Sequence, residues 1–146
     1  MKKLAAILLA VSFIQQAQAG VDEGFAAYQQ KNYAVAIAEF KEAAAKGNAE
    51  AQNSLGFMYA NGQGVTQNYP EALQWYRRAA EQGHADAQNN LGAMYANGHG
   101  VTVNRVLAHA LYNLAKSLGN NEKAGENLAE LSASMPSAEI TVAQAL

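Results

Sequence analysis

Apolar residues in the middle of the chain recur at the spacing of one helix face. They are Ala51, Leu55, Met58 and Tyr59, at positions i, i+4, i+7 and i+8. This spacing predicts an amphipathic helix. A second apolar stripe begins after Asn68, a residue type favoured as a helix N-cap, and ends before Gly83. The pattern therefore predicts two helices joined by a loop.

This pair of helices is an internal repeat. Residues 49–84 align with residues 85–120 without a gap, and 19 of the 36 aligned positions are identical. Helical pairs that recur every 34 to 47 residues, roughly, are typical of α-solenoids. We therefore predict an all-α fold, an α/α superhelical solenoid in which each unit contributes two helices.

Glycines within each unit predict close contacts, loops and helix ends. Gly56 and Gly92 stand beside the apolar stripe, where glycine costs about 1 kcal/mol relative to alanine, so we expect a partner helix close to them. After each first helix, two glycines separated by one residue predict a compact loop with positive φ. Gly83 and Gly119 predict left-handed helix ends.

The pattern of the second helix is also found 36 residues upstream. Asn32 takes the cap position, Phe40 the aromatic position and Gly47 the stop, which predicts a first unit over residues 20–48. Downstream of the second copy the pattern fades, and two further helices over residues 121–146 are expected to cap the exposed core. The chain thus predicts eight helices in four pairs.

The first nineteen residues predict a secretory signal peptide. A basic start at Lys2 and Lys3 precedes an apolar run over residues 4–14, and Ala17-Gln18-Ala19 matches the A-x-A pattern of a cleavage site. The run is shorter than the ~20 residues that a transmembrane helix needs. We expect cleavage of residues 1–19, a periplasmic or secreted protein, and no stable membrane span afterwards. The alternative, a first helix of the mature domain, would need a polar face that this run lacks.

Composition and charge exclude several classes of function. Of 146 residues, 50% are hydrophobic and 15% charged, which is unlike a disordered chain. The formal net charge of −2 gives no indication of nucleic-acid binding. Loss of Lys2 and Lys3 would leave 8 basic and 12 acidic side chains, a net charge of −4. The absence of cysteine excludes disulfides, a thiol nucleophile and a lipid-modified cysteine.

The string Ala-Gln-Asn-Ser-Leu-Gly-Phe-Met-Tyr-Ala-Asn-Gly-Gln-Gly-Val at 51–65, continued by residues 71–84, resembles the Sel-one-like repeat family. The resemblance is strong for residues 49–120 and partial for 20–48, whose shorter loop is closer to a plain tetratricopeptide repeat. It implies a solenoid of tetratricopeptide-like helix pairs that serves as an adaptor for other proteins. The disulfide-stapled secreted branch of this family needs cysteines, which this chain lacks.

Residues that would support catalysis are few. The common serine-hydrolase, zinc-protease and phosphate-loop motifs are absent from the sequence. The three histidines, His84, His99 and His109, share no metal-binding spacing, so we expect no metal and no cofactor. Glutamates at i, i+4 and i+8 near the C-terminus are interpreted as a solvated helix face. The chain is therefore predicted not to be an enzyme.

A binding surface is predicted from what the core leaves free. The first helices of a solenoid line its concave side, which is the usual ligand groove. Asparagines there would hydrogen-bond a peptide backbone, and Phe57, replaced by Ala93 in the next unit, would be an apolar anchor. The alternative is a plain polar helix face with one exposed aromatic. The candidate partner-binding residues are Asn53, Ser54, Phe57, Asn61, Asn89, Asn90, Ala93 and Asn97.

These observations predict an exported, non-enzymatic repeat scaffold that binds a protein or peptide of the cell envelope through its concave face. Two alternatives remain open. One is an envelope hydrolase of β-lactamase-like type, because some secreted members of the family that it resembles are linked with penicillin binding. The other is a cell-wall glycan-binding module, for which Trp75 or Tyr69 would supply an aromatic platform. The sequence predicts neither the identity of the partner nor the oligomeric state.

Overall fold

The computed structural model describes residues 2–119 and 121–146, and these form eight α-helices and no β-strand. This result confirms the predicted all-α fold. The helices are α1 (Lys2–Gln29), α2 (Tyr33–Ala45), α3 (Ala49–Asn61), α4 (Tyr69–Glu81), α5 (Ala85–Asn97), α6 (Arg105–Gly119), α7 (Glu122–Ala133) and α8 (Ser137–Gln144).

Neighbouring helices along the chain pack against each other, as they do in a solenoid. Within the units, α1 packs against α2, α3 against α4 and α5 against α6. Between the units, α2 packs against α3, α4 against α5 and α6 against α7. One core cluster, around Phe40 and Leu55, joins the first two units, and a second, around Tyr76 and Leu91, joins the next two. Each unit therefore buries its apolar residues together with its neighbour.

Aromatic rings of the second helices lie against glycines of the first helices. A Cβ atom on Gly56 would be 2.6 Å from Cδ1 of Tyr76, and one on Gly92 would be 2.8 Å from Cε1 of Tyr112. Both distances are well below carbon–carbon van der Waals contact, which is about 3.5–4.0 Å. The predicted close approach of the partner helix is confirmed.

The loops after α3 and α5 have the predicted positive φ angles and reach back to the preceding unit. A Cβ atom on Gly64 would lie 2.7 Å from Cβ of Tyr33, at the start of α2, and one on Gly100 would lie 2.8 Å from the carbonyl carbon of Tyr69, at the start of α4. The loop glycines are therefore also contacts between units. The φ angles are 66°, 72°, 72° and 72° at Gly62, Gly64, Gly98 and Gly100.

Asparagines cap two of the second helices, as predicted. Oδ1 of Asn68 accepts a hydrogen bond from the backbone nitrogen of Glu71 at 3.1 Å. Oδ1 of Asn104 accepts from the backbone nitrogen of Leu107 at 3.0 Å. Asn32 stands at the predicted cap position of α2, but its side chain makes no capping hydrogen bond.

Left-handed glycines follow α2 and α4, at Gly47 with φ 88° and Gly83 with φ 84°. The same prediction for Gly119 is wrong, because Gly119 is the last residue of α6 and its φ is not left-handed. The reason is length: α6 has 15 residues, whereas α2 and α4 have 13 each. The glycine therefore stays within the last turn of the helix.

The first helix runs without a break from the predicted leader into the first unit. Its apolar side chains over residues 5–14 are exposed, for example Ile7 at 59%, Leu9 at 71% and Ile14 at 67%. From Ala17 onwards one side of the helix is covered, and Val21 is only 1% exposed. The packing of α1 against α2 thus begins close to the predicted cleavage site, whose position stays a prediction.

The last two helices depart from the paired arrangement. α7 packs against α6 and α5, in the place that a first helix of a fourth unit would take. α8 has only 8 residues, and its main contact is with α6. The expected fourth helix pair is therefore wrong in its packing, since α8 follows a loop that ends in Pro136 and returns to α6 instead of pairing with α7.

Candidate binding groove

Phe57 lies on α3 with 43% of its surface exposed, although neighbouring Gly56 and Met58 are buried. It borders a hollow of about 280 Å³ between α1 and α3, to which Phe40 of α2 also contributes. We call this hollow the first groove. It is lined by Phe25, Tyr28, Phe40, Glu50, Asn53, Ser54, Phe57 and Met58.

The aromatic lining of the first groove is held by contacts within the fold. The rings of Phe25 and Phe40 pack edge to face with their centres 5.1 Å apart. The hydroxyl of Tyr28 donates a hydrogen bond to Oε1 of Gln63, in the loop of the next unit, at 2.9 Å. These contacts position both α1 residues before any ligand arrives. Phe57 is the aromatic side chain of the groove with the most exposed surface.

Polar groups at the edge of the first groove contact the following unit. Oε2 of Glu50 is 3.1 Å from Nε2 of His84, the residue that caps α5. Oδ1 of Asn53 accepts a hydrogen bond from Nδ2 of Asn90 at 3.1 Å. Ser54 is only 8% exposed. The edge of the groove is therefore built partly from contacts between successive first helices.

The asparagines of the first helices hydrogen-bond to one another across the repeat. Nδ2 of Asn90 donates to Asn53, and Nδ2 of Asn127 on α7 donates to Oδ1 of Asn89 at 2.8 Å. Asn89 is only 8% exposed, so its amide is largely committed to this contact. This arrangement joins α3 to α5 and α5 to α7. It leaves fewer amide groups on the surface than the sequence pattern suggests.

Two further candidate asparagines bond to their own helices. Nδ2 of Asn61 donates to the backbone oxygen of Phe57 at 2.8 Å, and Nδ2 of Asn97 donates to that of Ala93 at 2.9 Å. Both are the last residues of their helices. Their amide donors are therefore engaged with the backbone of their own helix.

The structure places five of the eight candidate residues at two hollows and three at neither. Asn53, Ser54 and Phe57 lie at the first groove. Ala93 and Asn97 lie at a second, larger hollow, whereas Asn61, Asn89 and Asn90 line neither. Sequence reasoning missed Phe25 and Tyr28 as residues of the groove. Their signal was a pair of aromatic residues in the first helix of the first unit.

The second hollow, of about 420 Å³, lies between α5 and α7 above α6 and is more polar. Arg105 and Glu130 contribute opposite charges to it, and Ala93 gives it no aromatic anchor in place of Phe57. Tyr112 also lines it, and burial, followed by the charge of Glu130, raises the pKa of the Tyr112 hydroxyl. The two hollows therefore differ in chemistry: half of the residues that line the first groove are aromatic, whereas most of those that line the second hollow are not.

The three histidines have separate structural environments. Nδ1 of His84 accepts a hydrogen bond from the backbone nitrogen of Ala87 at 3.3 Å, which caps α5. The ring of His99 stacks on Tyr69 with the centres 4.6 Å apart. His109 is 4% exposed, its Nδ1 atom has no hydrogen-bond partner among the described residues, and burial lowers the pKa of its imidazole. Within the part of the chain that is described, no three His, Cys, Asp or Glu side chains form a group able to hold a metal.

The aromatic residues considered as a glycan platform are engaged within the fold. Nε1 of Trp75 donates to Oε1 of Glu71 at 2.9 Å, and the guanidinium of Arg78 lies 4.7 Å from the centre of the indole ring. Tyr69 is stacked with His99. Each ring thus has one face covered by another side chain. The structure gives no support to the glycan-binding alternative.

Both copies of the 36-residue repeat match one known family. Residues 49–84 and 85–120 each match the family model described as Sel1 repeat. The chain is a Sel1-repeat protein. Sel1 repeats are typically scaffolds for protein–protein interaction and not enzymes, which agrees in outline with the predicted repeat scaffold.

Solved structures with the same architecture are longer than this Sel1-repeat protein. One is c5321, a protective antigen present in uropathogenic Escherichia coli strains that displays an SLR fold; its TM-score is 0.84, with 31% identity over 88% of this chain. Another is a Sel1 repeat protein from Oxalobacter formigenes, with a TM-score of 0.71 and 33% identity over 78% of this chain. The matched region spans 28% and 48% of those two chains. The comparison with curated proteins gave no match.

Proposed function

We propose that this Sel1-repeat protein is an exported scaffold that binds a protein or peptide of the cell envelope, with an apolar side chain of the partner entering the first groove. The observation that carries this proposal is Phe57, which is 43% exposed beside a hollow of about 280 Å³. Aromatic anchors near a preformed pocket contribute a large share of the energy at protein interfaces. An extended peptide lying along the first helices would pass directly over this residue.

Few of the candidate asparagines have a side chain that is available to a bound peptide. Asn53 borders the first groove, and its Oδ1 atom is occupied by Asn90. Its Nδ2 group donates to no acceptor among the described residues, so it is available to a carbonyl oxygen of a bound peptide. Asn89 and Ser54 are buried and contribute to the shape of the surface. The specificity we propose is therefore one apolar side chain with a backbone carbonyl beside it.

The exposed apolar residues of α1 support the export step. Ile7, Leu9 and Ile14 are all more than half exposed. A soluble domain rarely keeps such a row in contact with water. Removal of residues 1–19 eliminates this row and leaves the part of α1 that packs against α2. The mature protein would then be periplasmic or secreted.

A membrane anchor is the competing interpretation of the same helix. The segment Ala5–Gln29 is long and apolar enough to cross a membrane, a test that signal sequences near an N-terminus also pass. This segment extends well beyond the apolar run over residues 4–14, because α1 continues into the first unit. From Ala17 onwards, however, one side of α1 is covered by the fold. The free part, residues 2–16, is about 22 Å long at 1.5 Å per residue, shorter than a hydrocarbon core of about 30 Å.

Capture of partners from envelope extract tests the binding proposal. The exported protein is immobilised, and its bound proteins are compared between wild type and Phe57→Ala. We expect Phe57→Ala to lose most of the captured partner, since truncation of a central anchor costs roughly 2 kcal/mol or more, at least about thirtyfold in affinity.

A matched control is available on the second helices. Val35 on α2 has the same exposed fraction as Phe57, 43%, but lines neither the first groove nor the second hollow. Val35→Ala should retain the partner that Phe57→Ala loses. Equal capture by both variants and wild type would refute the first groove as the binding site.

A further inference from the structure

A hollow of about 420 Å³ in the first unit brings acidic side chains next to the first residue after the predicted cleavage site. It lies between α1 and α2 and includes Gly20, Glu23, Glu39, Glu42 and Lys46. Nζ of Lys46 is 2.8 Å from Oε1 of Glu42, so these two charges form a pair. Within residues 2–119 and 121–146, Glu23 and Glu39 form no ion pair. The hollow therefore has an excess of negative charge beside Gly20.

Glu39 is the acidic side chain that approaches Gly20 most closely. A Cβ atom on Gly20 would lie 3.7 Å from Oε2 of Glu39 and 3.6 Å from its backbone oxygen. The nitrogen of Gly20 is bonded to the same Cα atom, so a cationic group on that nitrogen would lie within a few ångströms of the Glu39 carboxylate. In the uncleaved chain this nitrogen belongs to a peptide bond and has no charge.

We propose that cleavage between Ala19 and Gly20 creates a cationic N-terminus that docks against Glu39. The inference rests on the export step of the proposed function. Hydrolysis adds one water molecule across the peptide bond, so that Ala19 leaves with a new carboxylate and Gly20 keeps a new α-amino group. That group is largely protonated at neutral pH, and it supplies the cation that the hollow lacks.

The residues after Gly20 also have the pattern of a helix start. The later first helices begin with a cap and an acidic residue two positions on: Asn48 and Glu50 in α3, and His84 and Asp86 in α5. Gly20 has Asp22 at the same spacing. Acidic groups stabilise the first turn of a helix, yet the first turn of the uncleaved α1 contains none. Asp22 therefore lies in the first turn of a helix that begins at Gly20, where an acidic side chain is stabilising.

Charge balance explains why Glu39 is needed. An ammonium group at a helix N-terminus is opposed by the positive end of the helix dipole. A carboxylate on the neighbouring helix offsets this repulsion and favours the protonated amine. The charged groups around the new terminus are Asp22 and Glu23 on α1 and Glu39, Glu42 and Lys46 on α2, and their sum is negative.

The labelling rate of the Gly20 amine tests the docking. The full chain is expressed in a bacterial host, the processed protein is purified, and mass spectrometry identifies its first residue. Acylation of the α-amino group at pH 7 is then timed for wild type, Glu39→Gln and Glu81→Gln, an exposed carboxylate of α4 that serves as the charge-matched control. Only the unprotonated amine reacts.

We expect a processed protein that begins at Gly20 and is labelled roughly threefold faster in Glu39→Gln, with no change in Glu81→Gln, because a surface carboxylate shifts the protonation of a neighbouring amine by about this factor. Wild type should also react faster in about 1 M salt, which screens the pair without any substitution. Equal rates in all three proteins and at both salt concentrations would overturn the docking and leave export intact. A purified chain that retains residues 1–19 would overturn the export step, and the docking with it.

Discussion

Two glycine–tyrosine contacts determine how closely the helices of the central units approach. Gly56 lies under the ring of Tyr76, and Gly92 under the ring of Tyr112. Alanine is the better helix former by about 1 kcal/mol, so glycine at these positions is explained by the space it leaves for the ring.

Replacing such a glycine by alanine should therefore destabilise the protein. In Gly92→Ala the new methyl would meet the Tyr112 ring at 2.8 Å, and overpacking of this kind typically costs about 1–3 kcal/mol. Gly125→Ala on α7 is the control, because its nearest neighbour is the flexible chain of Lys116 at 3.7 Å. Urea unfolding should show a lower midpoint for Gly92→Ala and an equal or higher midpoint for Gly125→Ala. A stabilised Gly92→Ala would contradict the contact.

His109 is a polar residue at a position that is apolar in the other units, where Leu73 and Ile37 stand. It is 4% exposed, and its Nδ1 atom has no partner within the described part of the chain. Burial lowers the pKa of its imidazole. The folded state therefore favours the neutral ring, and protons bind more readily to the unfolded chain.

Stability should consequently fall as the pH drops below the ordinary histidine pKa of about 6.5, where the unfolded state takes up the proton first. His109→Leu removes both the unpartnered nitrogen and this titration. We expect the variant to be about 1 kcal/mol more stable at pH 7.5 and to gain further over wild type at pH 5.5, measured by urea unfolding at each pH. A stability difference that is the same at both pH values would contradict the role of His109 titration.

The caps of the second helices differ although the residue type is the same. Asn68 accepts a hydrogen bond from the backbone of Glu71, whereas the side chain of Asn32 makes none. The sequence predicts both cap positions, but the bond depends on the backbone: Asn68 is extended, with ψ 95°, and Asn32 has ψ 69°.

These two positions make a matched comparison. Asn68→Ala should lower the free energy of unfolding by about 1 kcal/mol, the usual cost of a lost N-cap. Asn32→Ala should cost only a few tenths of that, since no capping bond is lost. Thermal unfolding followed by circular dichroism measures both, and equal losses would show that the cap hydrogen bond is not what stabilises α4.

The helices of the repeat were predictable because each 36-residue copy carries the same local signals. The contact between Gly24 and Phe40 in the first unit could not be predicted in this way. Gly24 stands 32 residues before Gly56, since the first loop is four residues shorter, and therefore falls outside the repeat alignment. The spacing of residues thus predicts the helices well. It predicts contacts between helices only where the 36-residue period is kept.

At the scale of the whole molecule, successive units are joined by polar contacts between residues 34 to 38 positions apart. They include His84 with Glu50 and Asn127 with Asn89. The pairing of these amides depends on the relative positions of successive first helices along their axes. The spacing of apolar residues within one helix contains no information on those positions. The pairing of the asparagines with one another could therefore not be predicted from the sequence, whereas the exposure of Phe57 could.

A partner of this protein should contact it at the first groove. A photoreactive phenylalanine analogue placed at position 57 keeps the size and character of the native side chain. The same analogue at Gln74, an exposed residue of α4, reports on a surface that lines neither groove. Illumination of intact cells then joins each position covalently to any protein that lies against it.

This cross-linking reports contact in the native compartment and keeps an aromatic side chain at position 57. We expect a discrete cross-linked product from position 57 and none from position 74. Cross-linking from position 74 alone, or from neither position, would contradict binding at the first groove.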